Sequence, residues 1–121
     1  MDLTRKRGPA AEHVPLKPVQ HLTLLLLAEE PTYGVALMER LEERSQGAIR
    51  LNAGSLYRLL ATLVDDGLVA PTEEVASPTG LGAPRKLYAV TPFGLEVLAA
   101  EARRQAGLLE MARALNLLEG A

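Results

Sequence analysis

The sequence predicts a mainly α-helical fold with a small β-hairpin, and three stretches predict it. Residues 52–67 read as one helix with a start signal, a stop signal and two chemically different faces. Residues 68–90 hold two extended segments separated by a turn-rich linker, and the chain from Pro92 onward reads as a single long helix with more apolar surface than a small domain uses.

Composition sets the frame. A chain of 121 residues suits one domain with a hydrophobic core, and 48% hydrophobic residues support folding over disorder. There are no cysteines, which excludes disulfides and Cys-based zinc sites. The longest apolar run, Leu24 to Ala28, stops at Glu29, well short of the roughly 18 residues of a membrane span. The basic cluster Arg5-Lys6-Arg7 is followed by no apolar stretch of the signal-peptide kind, so the expected location is cytoplasmic, with no membrane partner. The net charge of -2 does not point to nucleic acid. Its distribution does so weakly: Arg50 and Arg58 bracket an acid-free stretch and Arg85-Lys86 form an acid-free pair, while acids gather at Glu29-Glu30, Glu39 to Glu43, Asp65-Asp66 and Glu73-Glu74.

The N-terminal residues 1–17 carry Pro9 and Pro15 and no helical period, which predicts a flexible basic arm: either a plain disordered tail or an arm that tracks phosphates. Pro18 suits the first turn of a helix whose apolar face is Val19, Leu22, Leu25 and Leu26, extended by Leu24 and Leu27 and ended by Pro31. Thr32 is the expected N-cap of a second helix, Tyr33 to about Ser45, with Tyr33, Leu37, Met38 and Leu41 inside and a solvated charged face at Glu39, Arg40, Glu42, Glu43 and Arg44. Gly47 breaks it, and Ile49 to Leu51 form a short strand or turn.

Asn52 then caps the central helix, and Gly67 supplies the left-handed residue that closes it. Leu56, Leu59, Leu60, Leu63 and Val64 recur at helical spacing and make one buried stripe. The opposite face is Gly54, Ser55, Arg58, Ala61 and Thr62, with Tyr57 at its edge. Small residues, free N-terminal amides and one guanidinium suit close approach to a phosphate backbone and a base edge, although an ordinary surface helix also looks like this. The chain beyond Gly67 narrows the choice. Leu68 to Val75 and Lys86 to Val90 are extended, joined by Ala76 to Pro84, and Arg85 and Lys86 stand where the linker re-enters the sheet. A helix-turn-helix followed by such a hairpin is a winged helix-turn-helix, over residues 18–91. Thr91 and Pro92 then start a C-terminal dimerisation helix, residues 92–121, reaching about Leu118 and projecting about 39 Å at 1.5 Å per residue. Gly107 is a candidate bend. The surplus apolar surface calls for a second copy of the same helix and of the first helix, giving a homodimer.

Taken in order, Thr32-Tyr33-Gly34, Gly54 to Leu63, Asp66-Gly67-Leu68-Val69, Gly82 to Tyr88 and Thr91-Pro92-Phe93-Gly94 resemble the PadR family of bacterial transcriptional regulators, in the short form with one C-terminal helix. The resemblance covers residues 18 to 100. It implies a dimeric repressor that binds a palindromic operator in double-stranded DNA, often released by a small-molecule effector. It implies DNA contacts at Ser55, Tyr57 and Arg58, beside the cap Asn52, with Arg85 and Lys86 on the wing. Leu22, Leu26, Val97, Leu98, Leu108, Met111 and Leu115 are the expected dimerisation residues. Two positions depart from the family: Ala83 stands where Arg is common, and Val35 where a large residue is common.

Catalysis is not expected. His13 and His21 have no second histidine or paired carboxylate at ligand spacing, there is no phosphate loop or nucleophile motif, and no cofactor or metal is implied. The competing reading is a winged helix that binds protein and not DNA. The aromatic residues are Tyr33, Tyr57, Tyr88 and Phe93, with no Trp, so no stacked aromatic effector site stands out.

Overall fold

The computed structural model describes residues 8–75 and 85–119. In chain order it contains a 3-10 turn at Ala10–His13, helix α1 (Pro18–Glu29), strand β1 (Thr32–Tyr33), helices α2 (Gly34–Arg44) and α3 (Ala53–Asp65), strands β2 (Val69–Val75) and β3 (Arg85–Val90), and helix α4 (Pro92–Ala114). The sheet is antiparallel with order β1-β3-β2. This is the winged helix-turn-helix with one long terminal helix, and the hairpin is a three-stranded sheet because Thr32 and Tyr33 add an edge, opposite Tyr88 and Leu87. Thr32 is therefore a strand residue and not the N-cap of α2; Tyr33 takes the cap position. The segment Ile49 to Leu51 forms no strand.

The core is leucine. Leu24, Leu26 and Leu27 of α1, Leu37 and Leu41 of α2, Leu56, Leu60 and Leu63 of α3, Leu68 and Val69, and Val97 and Leu98 of α4 form one buried cluster, with Leu59 and Val64 packed against it. The buried face of α1 is thus Thr23, Leu24, Leu26 and Leu27, while Leu25 points to solvent. Five of the six residues from Leu22 to Leu27 are leucine, so periodicity alone leaves the orientation open.

The N-terminal arm needs correction over its second half. Residues 1–7 lie outside the described residues, but residues 8–17 fold onto α4. Leu16 is buried, its N–H donates to Glu101 Oε1 at 2.9 Å, and the His13 ring meets Phe93 edge-on at 5.2 Å. The prolines that hide any period here also hide a segment held by side-chain docking.

Two close approaches join the wing to the helices. Thr91 Oγ1 accepts the Gly94 N–H at 2.9 Å, capping α4, and donates to the Gly67 carbonyl at 2.6 Å, while the Thr91 N–H bonds the Leu68 carbonyl at 3.0 Å. Gly94 sits where a Cβ would run into the Leu68 carbonyl oxygen and Val90 Cγ2, so only glycine lets α4 start this close to the sheet. On the other flank, Glu29 at the end of α1 accepts from Arg40 Nη2 at 2.6 Å and Arg44 Nη1 at 2.9 Å. Hydrogen bonding from Arg44 and the charges of both arginines hold the Glu29 carboxyl below its ordinary range. The charged face of α2 is thus partly an anchor for α1, not solely a solvated surface.

Candidate nucleic-acid interface

The N-terminal turn of α3 is built by its own cap. Asn52 Oδ1 accepts the Ser55 N–H at 2.8 Å, with Asn52 in extended backbone conformation, so the chain turns sharply into the helix. Asn52, Ala53 and Gly54 are exposed, and the buried leucines behind them fix the helix axis. Arg58 Nη2 donates to Ser55 Oγ at 3.3 Å, which holds the guanidinium over the first turn beside the amides and helix-dipole charge that attract anions. Thr62 Oγ1 donates back to the Arg58 carbonyl at 3.1 Å. Along this face Gly54, Arg58, Ala61 and Thr62 are exposed. Apart from Arg58, no bulky side chain on this face stands between the helix backbone and an approaching surface.

Tyr57 is anchored sideways. It is half exposed, and its ring lies over Gly34 at the start of α2: a Cβ on Gly34 would stand 2.9 Å from Tyr57 Cζ. Burial, with the neighbouring Tyr57 second, raises the Tyr88 phenol above its ordinary value. The space Tyr57 occupies explains why a glycine follows Thr32-Tyr33. Val35, one residue on, is exposed.

The wing supplies Lys86, exposed on β3, and Arg85 opens that strand. Here the pairing register alters the expectation from the linear chain. Glu74 is the cross-strand partner of Lys86, and Val75 that of Arg85, with a bulge between Pro71 and Glu74. The pair that is acid-free along the chain therefore has an acidic residue at the opposite register position in the sheet. The linker Ala76 to Pro84, including Ala83, lies outside the described residues.

The expected dimerisation residues divide into two groups. Leu26, Val97 and Leu98 are buried inside the protomer and present no surface to a second copy. Leu22 is partly buried against the core. Leu108, Met111 and Leu115 are 50%, 63% and 66% exposed, and Leu25, Leu109, Leu117 and Leu118 join them. Beyond Glu101 no residue of α4 is buried. Between α1 and α4 runs a groove of about 740 Å³ lined by His21, Leu25, Arg104, Gln105, Leu108 and Leu109. The burial of Glu101, which bonds the groove residues Arg104 and Gln105, has no sequence signal; a lone glutamate in a helix with many charges gives no sign of it. Among the described residues no helix is long and apolar enough to cross a membrane.

Comparison with known proteins agrees with the geometry. A PadR-like regulator from Eggerthella lenta superposes with a TM-score of 0.61 at 34% identity, covering 85% of this chain and 83% of that one. A PadR-like transcriptional regulator from Bacillus cereus gives a TM-score of 0.61 at 28% identity, covering 85% and 93%. An uncharacterised 37.1 kDa protein in transposon TN4556 of Streptomyces fradiae is 37% identical over 89 residues, and the chain spans 23% of its length. The pattern of the transcriptional regulator PadR-like family matches residues 23–100. The chain therefore belongs to the PadR-like family of transcriptional regulators.

Proposed function

We propose that this regulator is a homodimeric repressor that binds a palindromic operator through the N-terminal face of α3 and is released by a small-molecule effector. The observation that carries the DNA half is the first turn of α3: exposed Ala53 and Gly54 and a guanidinium held over that turn by Ser55, on a helix whose fully buried residues are all leucine. Arg58 and the amides near Ser55 position the helix, Asn52 and Tyr57 border it, and Arg85 and Lys86 reach phosphate from the wing. The exposed leucine and methionine stripe of α4 supports the dimer, through Leu108, Met111 and Leu115 with Leu22 and Leu25 at its margin. The apolar groove between α1 and α4 adjoins that stripe, so an effector seated there alters the packing that joins the two copies.

The test is fluorescence anisotropy of labelled DNA from upstream of the gene, titrated at several salt concentrations. Wild type is expected to bind tightly and salt-sensitively and a random duplex far more weakly. Lys86→Ala should weaken binding to all sequences and lower the salt slope by about one unit, whereas Arg58→Ala should also relax sequence preference. Equal binding by wild type and an Arg58→Ala, Lys86→Ala double variant would favour the competing reading of the winged helix as a protein-binding module.

A further inference from the structure

Glu101 is the one fully buried charged side chain among the described residues, and neither the α3 face nor the exposed half of α4 makes use of it. Its Oε1 accepts from the Leu16 N–H at 2.9 Å and from Arg104 Nε at 3.3 Å. Its Oε2 accepts from Arg104 Nη2 and from Gln105 Nε2, the latter at 2.9 Å, and the same Gln105 nitrogen lies 3.2 Å from His21 Nδ1 on α1. One carboxylate thus ties α4 to the N-terminal segment directly and to α1 through Gln105. A buried charge is costly unless every lone pair is used, and an apolar side chain in its place would bury without that cost. The location is informative. On α4, Gly94, Val97 and Leu98 before it are buried, and nothing after it is. Glu101 marks the point where α4 leaves the body.

We propose that Glu101 is a positioning residue that fixes the angle at which α4 leaves the winged-helix body and so sets the separation of the two α3 helices in the dimer, an inference that rests on the dimeric reading above. The lever is long. Leu115 lies about 21 Å along the helix from Glu101, so a tilt of about 10° there displaces it by about 4 Å. That exceeds one base-pair step of about 3.4 Å. Apolar contacts alone leave such a tilt weakly determined, because leucines slide over one another, whereas the bond from the Leu16 N–H to Glu101 and the bridge through Gln105 to His21 on α1 fix direction as well as distance.

Because the chain has no cysteine, an Ala48→Cys substitution in the exposed connection between α2 and α3 places one spin label per protomer. Pulsed electron paramagnetic resonance then reads the distance between the two labels. With Glu101 intact a single narrow distribution is expected. In Glu101→Gln, whose amide nitrogen meets the donors of Arg104 and Gln105, the distribution should shift or broaden by about 3 Å or more. A lowered melting temperature with an unchanged distribution would mean that Glu101 only stabilises, and would overturn the proposal. If Glu101→Gln does not fold, the Arg104→Ala, Gln105→Ala pair, which keeps the carboxylate on Leu16 but strips its other bonds, is read with the same two outcomes. Absence of any dipolar distance with Glu101 intact would sink the dimer itself, and this inference with it.

Discussion

At the scale of single residues, small groups with several partners hold the interface in place. Thr91 caps α4 and reaches back to the Gly67 carbonyl just past α3, so one hydroxyl registers the terminal helix against α3. Gly34 leaves the space in which Tyr57 lies, and Ser55 steers Arg58. Glu101 makes a pH prediction. Hydrogen bonding from Arg104 is the largest influence on its carboxyl; burial opposes it, and the Leu16 N–H and Gln105 add to it, holding it down to about 2 against an ordinary 4.5. A carboxyl whose folded value is depressed contributes stability that is fully present above its unfolded value and is lost as the pH falls through its folded value. Urea unfolding of wild type and Glu101→Gln should therefore show the wild-type advantage at about pH 7 shrinking by about pH 3. An advantage that stays constant over that range would show that the ionised carboxylate is not what stabilises the fold.

At the scale of elements, three helices close in the same way, and they differ in how legible that closure is in the sequence. In each, the residue after the cap is left-handed and two backbone bonds fold back: Gln46 N–H to Glu43 and Gly47 N–H to Glu42 after α2, Gly67 N–H to Val64 and Leu68 N–H to Leu63 after α3, and Asn116 N–H to Arg113 and Leu117 N–H to Ala112 after α4. Those left-handed residues are Gln46, Gly67 and Asn116, and Gly47 next to Gln46 also has a positive φ. Gly67 is readable because glycine takes that conformation without strain. Gln46 carries no such signal, so the sequence points to its neighbour Gly47 as the break. Asn116 does carry one, since asparagine tolerates this region, and α4 ends at Ala114 instead of running to about Leu118. Strand order is partly hidden for another reason: Thr32 and Tyr33 look like a cap and a helix start until β3 is beside them, and pairing with residues as distant in sequence as Tyr88 and Leu87 leaves no local mark. The same holds for Glu74 opposite Lys86. The α3 face, by contrast, is fully legible, because its cap, stop and stripe are all local. Two glycines of α4 make opposite predictions. Gly94→Ala forces a methyl into the Leu68 carbonyl and should cost about 1–3 kcal/mol or more, as overpacking does. Gly107→Ala meets nothing within 4 Å and should stabilise by up to about 1 kcal/mol through helix propensity. Thermal melts of the two variants should move in opposite directions; a destabilised Gly107→Ala would reveal a close contact at that position.

At the scale of the whole molecule, the chain separates two surfaces. The α3 N-terminus and the wing form one, carrying Arg58 and Lys86; the exposed half of α4 forms the other, and its apolar stripe lies beyond the last buried residue of the helix. A net charge of -2 is no obstacle to the proposed DNA contact, which would rely on local amides and two or three cations and not on the overall field. Joining two copies through α4 gives two α3 helices related by a two-fold axis, and such a pair reads half-sites on one face of a duplex, about 34–36 Å apart. Hydroxyl-radical footprinting of the upstream DNA tests this most directly. Wild type should protect two patches about one helical turn apart on one face, and both should fade together in Arg58→Ala or when Met111 and Leu115 are changed to charged residues. A single protected patch, or a pair that survives the α4 substitutions, would contradict the account.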